Sequence, residues 1–150
     1  MSQIADITVF DGAATPVSHT LKAVSVTREK GKVTALWREA LASLPVYAQV
    51  SVSMSIELLK SGTYKVEQRT VVPVMEAILN QNAAGYTAAP KVAYENTVVT
   101  IGYFHQRADI TGRRLVRQMA VNLCGNISTS VAPVATGPLP ELFDQLVAPT

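Results

Sequence analysis

Apolar and polar residues alternate most regularly over residues 46–56, VYAQVSVSMSI. Val46, Ala48, Val50, Val52, Met54 and Ile56 fall on one side, and Tyr47, Gln49, Ser51, Ser53 and Ser55 on the other. A period of two is strand geometry, so the stretch predicts a strand with one dry and one wet face. Lys60-Ser61-Gly62 supplies a turn. Tyr64 to Val72 returns as a strand with Lys65, Glu67 and Arg69 on one side and Val66, Gln68, Thr70 and Val72 on the other. Pro73 interrupts the ladder, which places it at a bend or sheet edge. Val74 to Leu79 continues as a short strand, and Asn80 to Pro90 is a loop by composition. Upstream, Ile4 to Phe10 and Thr20 to Arg28 read as two strands around Asp11-Gly12 and Pro16. Glu29-Lys30-Gly31-Lys32 is a polar turn, and the following KVTALWREALASL fits either a strand or a short amphipathic helix before Pro45.

Residues 94–104, YENTVVTIGYF, form another strand whose faces differ. Tyr94, Asn96, Val98, Thr100 and Gly102 stay mixed, while Glu95, Thr97, Val99, Ile101 and Tyr103 turn steadily apolar. Beyond it the period changes. Asp109 or Thr111 can cap a helix carrying an apolar stripe of Leu115, Val116, Met119 and Leu123, with Arg113, Arg114 and Arg117 on the opposite arc. Cys124-Gly125-Asn126 is a suitable stop. Pro138-Leu139-Pro140 introduces a second helix, Glu141 to Val147, with Leu142, Phe143 and Leu146 on its apolar side. The class is α+β: an N-terminal β-hairpin, a five-stranded antiparallel meander sheet and two C-terminal helices. Helices of about four and about two turns cannot cover such a sheet. A second copy of the chain is therefore expected over the rest of the dry face, the alternative being a sheet curled on itself.

With 150 residues, 48% of them hydrophobic, the chain can bury a sizeable core as a single domain spanning residues 1–150. No apolar run is long enough to span a bilayer, and MSQIADITVF lacks the basic start and apolar core of a signal peptide, so a cytoplasmic protein is expected. A single cysteine, Cys124, rules out an intrachain disulfide framework and any multi-cysteine metal site; it is expected as a small buried helix residue, with an interchain bridge as the alternative. Charge is nearly balanced, 13 basic against 11 acidic residues, but unevenly spread. Every Lys and Arg lies between Lys22 and Arg117, and after Gln118 only Glu141 and Asp144 are charged. Basic surface must therefore come from the hairpins, the strands and the start of the first helix. Catalytic constellations are missing: His19 and His105 stand in different segments, and no phosphate-cradling glycine loop or nucleophile elbow occurs. No enzyme activity, cofactor, metal or small-molecule substrate is expected.

The string YENTVVTIGYFHQRADITGRRLVRQMAVNLCGN, after YKVEQRTVVPV and before a proline-introduced C-terminal helix, resembles the coat proteins of small single-stranded RNA bacteriophages, the leviviruses. The resemblance implies a dimer whose helices interlock across a continuous sheet, and an icosahedral shell assembled in the bacterial cytoplasm around the RNA genome. It also implies an inward sheet face that binds a translational-operator hairpin. Carried over residue by residue, it makes Tyr94 a base-stacking ring and Asn96 its neighbouring contact. It places Gln49, Ser51, Ser53 and Ser55, with Lys65, Glu67 and Arg69, on the RNA face. These residue types suit the task, since phosphates need cations, bases stack on aromatics, and hydroxyls and amides read base edges. Glu67 fits it least, because a carboxylate repels phosphate. Read without the resemblance, Tyr94 is a cross-strand packing residue, Asn96 closes a turn, Arg113, Arg114 and Arg117 form a solvated helix face, and 80–90 is simply a loop. A dimeric sheet-faced module binding RNA or peptide without forming a shell is the alternative function.

Overall fold

The computed structural model describes residues 4–77 and 85–150. Six strands form one antiparallel sheet in sequence order: β1 (Ile7–Phe10), β2 (Ser18–Glu29), β3 (Lys32–Glu39), β4 (Ser51–Leu58), β5 (Thr63–Met75) and β6 (Val92–His105). The hairpin and meander are thus continuous, with one strand fewer among the described residues than a hairpin plus five strands requires. The sheet is open, with β1 and β6 as its two edges. The long helix α1 (Ile110–Cys124) follows β6, and a short helix α2 (Pro138–Pro140) runs directly into a π-helical turn, Glu141–Gln145.

The ambiguous KVTALWREALASL is resolved as β3, because Trp37, Ala35 and Val33 pair with Val52, Met54 and Ile56. The hairpin from β2 closes through Lys30 and Gly31, both with positive φ, which matches the right-handed twist of the flanking strands. The regular alternation over 46–56 overstates the strand. Val46–Ala48 is a 3-10 turn after Pro45, and β4 begins at Ser51. The Gln49 amide donates to the carbonyls of Leu41 and Leu44 at 2.9 and 3.0 Å, which closes the connection before the strand starts. Pro73 sits inside β5 opposite Glu95, but beyond Val71, the last residue that β4 reaches, so only one neighbouring strand is present there. The expected extension of that strand to Leu79 stops at Met75, with residues 78 and 79 and the loop positions 80–84 outside the described residues.

The core lies on one face of the sheet. Leu21, Ala35, Trp37, Val52, Met54, Ile56, Val66 and Phe104 pack there with Leu142 and Phe143 from the C-terminal turn. Phe104 and Phe143 meet edge to face, with centroids 6.1 Å apart. Gly102 makes this approach feasible, since a Cβ at that position would lie 2.8 Å from the Phe104 ring. Trp37 is fully buried and its indole N–H donates to the Ala5 carbonyl at 2.8 Å, joining the N-terminal segment to the sheet centre. His19 ties the first hairpin down. Nδ1 meets Glu39 Oε1 at 2.9 Å and Nε2 meets Asp11 Oδ2 at 3.3 Å, and these two carboxylates hold the imidazole pKa above its ordinary value.

Candidate functional site

Strand register assigns every side chain to a face. From Trp37 opposite Val52, Val66 opposite Ile56 and Gly102 opposite Val66, the core face continues along β5 and β6 as Gln68, Thr70, Val72 and Val74, then Thr100, Val98, Asn96 and Tyr94. The other face is mostly polar on β3, β4 and β5 and turns apolar along β6 at Val99 and Ile101. One cross-strand row runs Lys32, Glu57, Lys65, Tyr103, and the next Thr34, Ser55, Glu67, Ile101. A third runs Leu36, Ser53, Arg69, Val99, and a fourth Arg38, Ser51, Val71, Thr97.

Six of the nine expected site residues therefore share one surface: Ser51, Ser53, Ser55, Lys65, Glu67 and Arg69. Ser53 is directly opposite Arg69 and Ser55 opposite Glu67. Ser55 is buried, whereas Ser51 and Ser53 are half-exposed. Lys65 Nζ contacts Glu67 Oε2 at 2.8 Å across one pleat, which raises the lysine pKa and lowers that of the carboxylate. The repulsion that Glu67 would offer a phosphate is offset by this pairing. Arg69 is exposed and makes no ion pair among the described residues.

The other three are placed differently. Gln49 is buried, with its amide spent on loop carbonyls. Tyr94 and Asn96 are exposed but belong to the face opposite the serines, beyond the end of the core. The structure does not bring them onto the surface that holds the other six. It adds instead Lys32, Thr34, Arg38 and Tyr103, which occupy the polar face. Tyr103 is 61% exposed and directly opposite Lys65. The alternation of β3 could have revealed Lys32, Thr34 and Arg38, had the segment been recognisable as a strand.

The helix arginines are not a solvated face. Asp144, fully buried, accepts from Arg117 at 2.7 and 2.9 Å and from Arg114 at 3.1 Å. Burial alone pushes the Asp144 pKa up, but the bonds from Arg117 and Arg114 outweigh it and hold the carboxyl below its usual range. Arg113 donates to the Asp144 backbone carbonyl at 2.7 Å and also to that of Ala108. The polar side of α1 is thus locked onto the C-terminal turn. Asp109 caps the helix by accepting from the Gly112 N–H at 2.7 Å. No residue of α1 is buried, Cys124 included, contrary to its expected packing, and the predicted apolar stripe is open to solvent, Leu115 and Val116 at 58%, Met119 at 57% and Leu123 at 77%. An unpaired edge strand and an uncovered apolar helix on one protomer are surfaces suited to another protein chain.

Among the described residues no cluster of His, Cys, Asp and Glu could hold a metal, and no helix is long and apolar enough to cross a membrane. No curated protein matches the chain by sequence. Among solved structures, the virus-like particle of bacteriophage EMS014 aligns over 98% of this chain and 99% of its own, with a TM-score of 0.72 and 28% identity. The virus-like particle of bacteriophage ESE058 aligns over 97% and 98%, with a TM-score of 0.71 and 20% identity. The capsid protein of bacteriophage GA shares the fold at a TM-score of 0.54, 16% identity and coverage of 95% and 94%. The levivirus coat protein profile matches residues 2–137. The chain therefore belongs to the levivirus coat protein family, whose members are structural capsid proteins and not enzymes.

Proposed function

We propose that the chain dimerises through β6 and α1, that the dimers close into an icosahedral shell in the host cytoplasm, and that the shell encloses single-stranded RNA against the polar sheet face. The observation that carries the assembly is a helix of 15 residues with none buried, together with an edge strand of 14 residues that pairs on one side only. Two copies pairing β6 to β6 would extend the sheet and let each α1 lay Leu115, Val116, Met119 and Leu123 on its partner. Such burial offers about 25 cal/mol for each Å² of apolar surface covered.

The polar face supports the RNA reading. Arg69, Arg38 and Lys32 provide cations, Ser51 and Ser53 hydroxyls, and Tyr103 a ring for stacking. The same surface is the candidate site for a genomic hairpin whose capture would repress translation.

The test is electron microscopy of protein purified from a recombinant bacterium, with the ratio of absorbance at 260 and 280 nm. Uniform particles containing nucleic acid are expected. Dimers without nucleic acid that stay dimers when RNA is added would overturn the shell in favour of a binding module.

A further inference from the structure

The polar face carries a cleft of about 240 Å³ at its Arg38 end, enclosed by the β3–β4 connection on one side and by β5 and β6 on the other. Arg38, Tyr47, Gln49, Ser51, Pro73 and Glu95 are among the residues that line it. Of the nine residues that the resemblance assigns to RNA, only Gln49 and Ser51 line it. Arg38 is half-buried, and its Nε is shielded from solvent without a hydrogen-bond partner. The shielded Nε carries a desolvation cost, and with no carboxylate paired to the guanidinium among the described residues, an anion in the cleft can pair with its remaining donors. Tyr47 is 56% exposed while its hydroxyl donates to the Pro90 carbonyl at 2.6 Å, so the ring is accessible and its far end anchored. Ser51 adds a hydroxyl, and the Gln49 amide, already committed to Leu41 and Leu44, stiffens the wall.

From this geometry we infer that the Arg38–Tyr47 cleft binds one unpaired nucleotide of single-stranded RNA, the phosphate on Arg38 and the base against the Tyr47 ring. Glu95 on the far wall accepts hydrogen bonds only, so it turns phosphate away from that side and receives the donor edge of a base. The inference rests on the polar face being the RNA surface and adds a subsite to it. Stacking platforms beside a cation are the general means of holding single strands, and a pocket this size admits a base but not a helix.

The test measures binding of a short unstructured RNA oligonucleotide to the full chain across a salt series. Arg38→Gln should weaken binding at least about fivefold and make the dependence of log K on log salt shallower by about 0.7, the value for one phosphate on a single strand. Arg38→Lys should restore the slope. Tyr47→Ala should lose at least about fivefold, whereas Tyr47→Phe, which keeps the ring, should stay close to the parent. Tyr47 is largely exposed, so this second pair reports even where an Arg38 variant fails to fold. Parent binding matched in affinity and slope by Arg38→Gln and Tyr47→Ala would overturn the subsite while leaving the RNA face intact. A parent that binds no RNA at any salt concentration would overturn both.

Discussion

The arginines of α1 and those of the polar face have the same side chain in opposite circumstances. Arg113, Arg114 and Arg117 converge on Asp144, a carboxylate with no solvent contact, each donating at least one hydrogen bond to it or to its backbone carbonyl. Arg38 and Arg69 have no anionic partner among the described residues, although they share a sheet with several carboxylates. Cations already satisfied hold the fold together, and cations left unsatisfied are available to a ligand. These five arginines are therefore two populations, and in the proposed function only the second bears on RNA.

The largest effect should come from removing the anion from the satisfied group. Asp144→Asn leaves Arg117, whose side chain is only 9% exposed, with a neutral partner. Breaking one side of a buried pair typically costs about 3–5 kcal/mol. Urea unfolding should show that loss, whereas the same substitution at Glu67 should cost no more than about 1 kcal/mol, because that pair is much more open to water. The pH dependence has the matching sign. The folded-state pKa of Asp144 is lowered, so its contribution is complete above the ordinary carboxylate pKa of about 3.9 and is lost as pH falls through the folded value. Acid should loosen the C-terminal turn from α1 before alkali does, and a loss confined to alkaline pH would contradict the clamp.

The apolar side of α1 gives the next contrast, since it is as unsatisfied as the polar-face arginines but in a different chemistry. Met119→Asp places a charge in the middle of the exposed stripe without disturbing the Asp144 contacts on the other side of the helix. It should abolish particles in sedimentation and electron microscopy. Particle yield equal to that of the parent would remove α1 from the interface.

Much of this arrangement was legible in the sequence. Strands β4 and β5, the Gly62 turn, the Asp109 cap and the apolar stripe of α1 follow from local periodicity and turn chemistry, which depend on neighbours a few residues away. The role of the α1 arginines was not legible, because Asp144 lies 27 to 31 residues downstream and nothing local announces it. Nor was β3. Lys32, Thr34 and Arg38 join the polar face only because β3 pairs with β4, and the same letters suit a helix. Period two within one strand likewise cannot say which of its faces matches which face of another strand. Register decides that, and it separates Tyr94 and Asn96 from the serines they were grouped with.

Arg69 tests the unsatisfied population directly. It is exposed and stands opposite Ser53 in the middle of the polar face. Arg69→Ala should flatten the salt dependence of RNA binding by about the equivalent of one phosphate, with little change in unfolding free energy, the reverse of the Asp144 variant. A variant whose salt slope equals the parent's would take Arg69 out of the RNA surface.

The smallest expected effect separates two tyrosines of the same strand. Tyr94 and Tyr103 are 59% and 61% exposed, so accessibility cannot rank them. Their positions differ by an odd number of residues, and the ladder between Tyr94 and Tyr103 is regular, so they point to opposite faces. A ring that stacks on a base is worth about 1–3 kcal/mol, which Tyr103→Ala should forfeit in RNA affinity. Tyr94→Ala should leave affinity nearly unchanged, because the polar surface is on the other side of the sheet. The opposite result, binding lost with Tyr94 and kept without Tyr103, would mean that RNA meets the end of the core face, and that Arg69 and the serines serve another purpose.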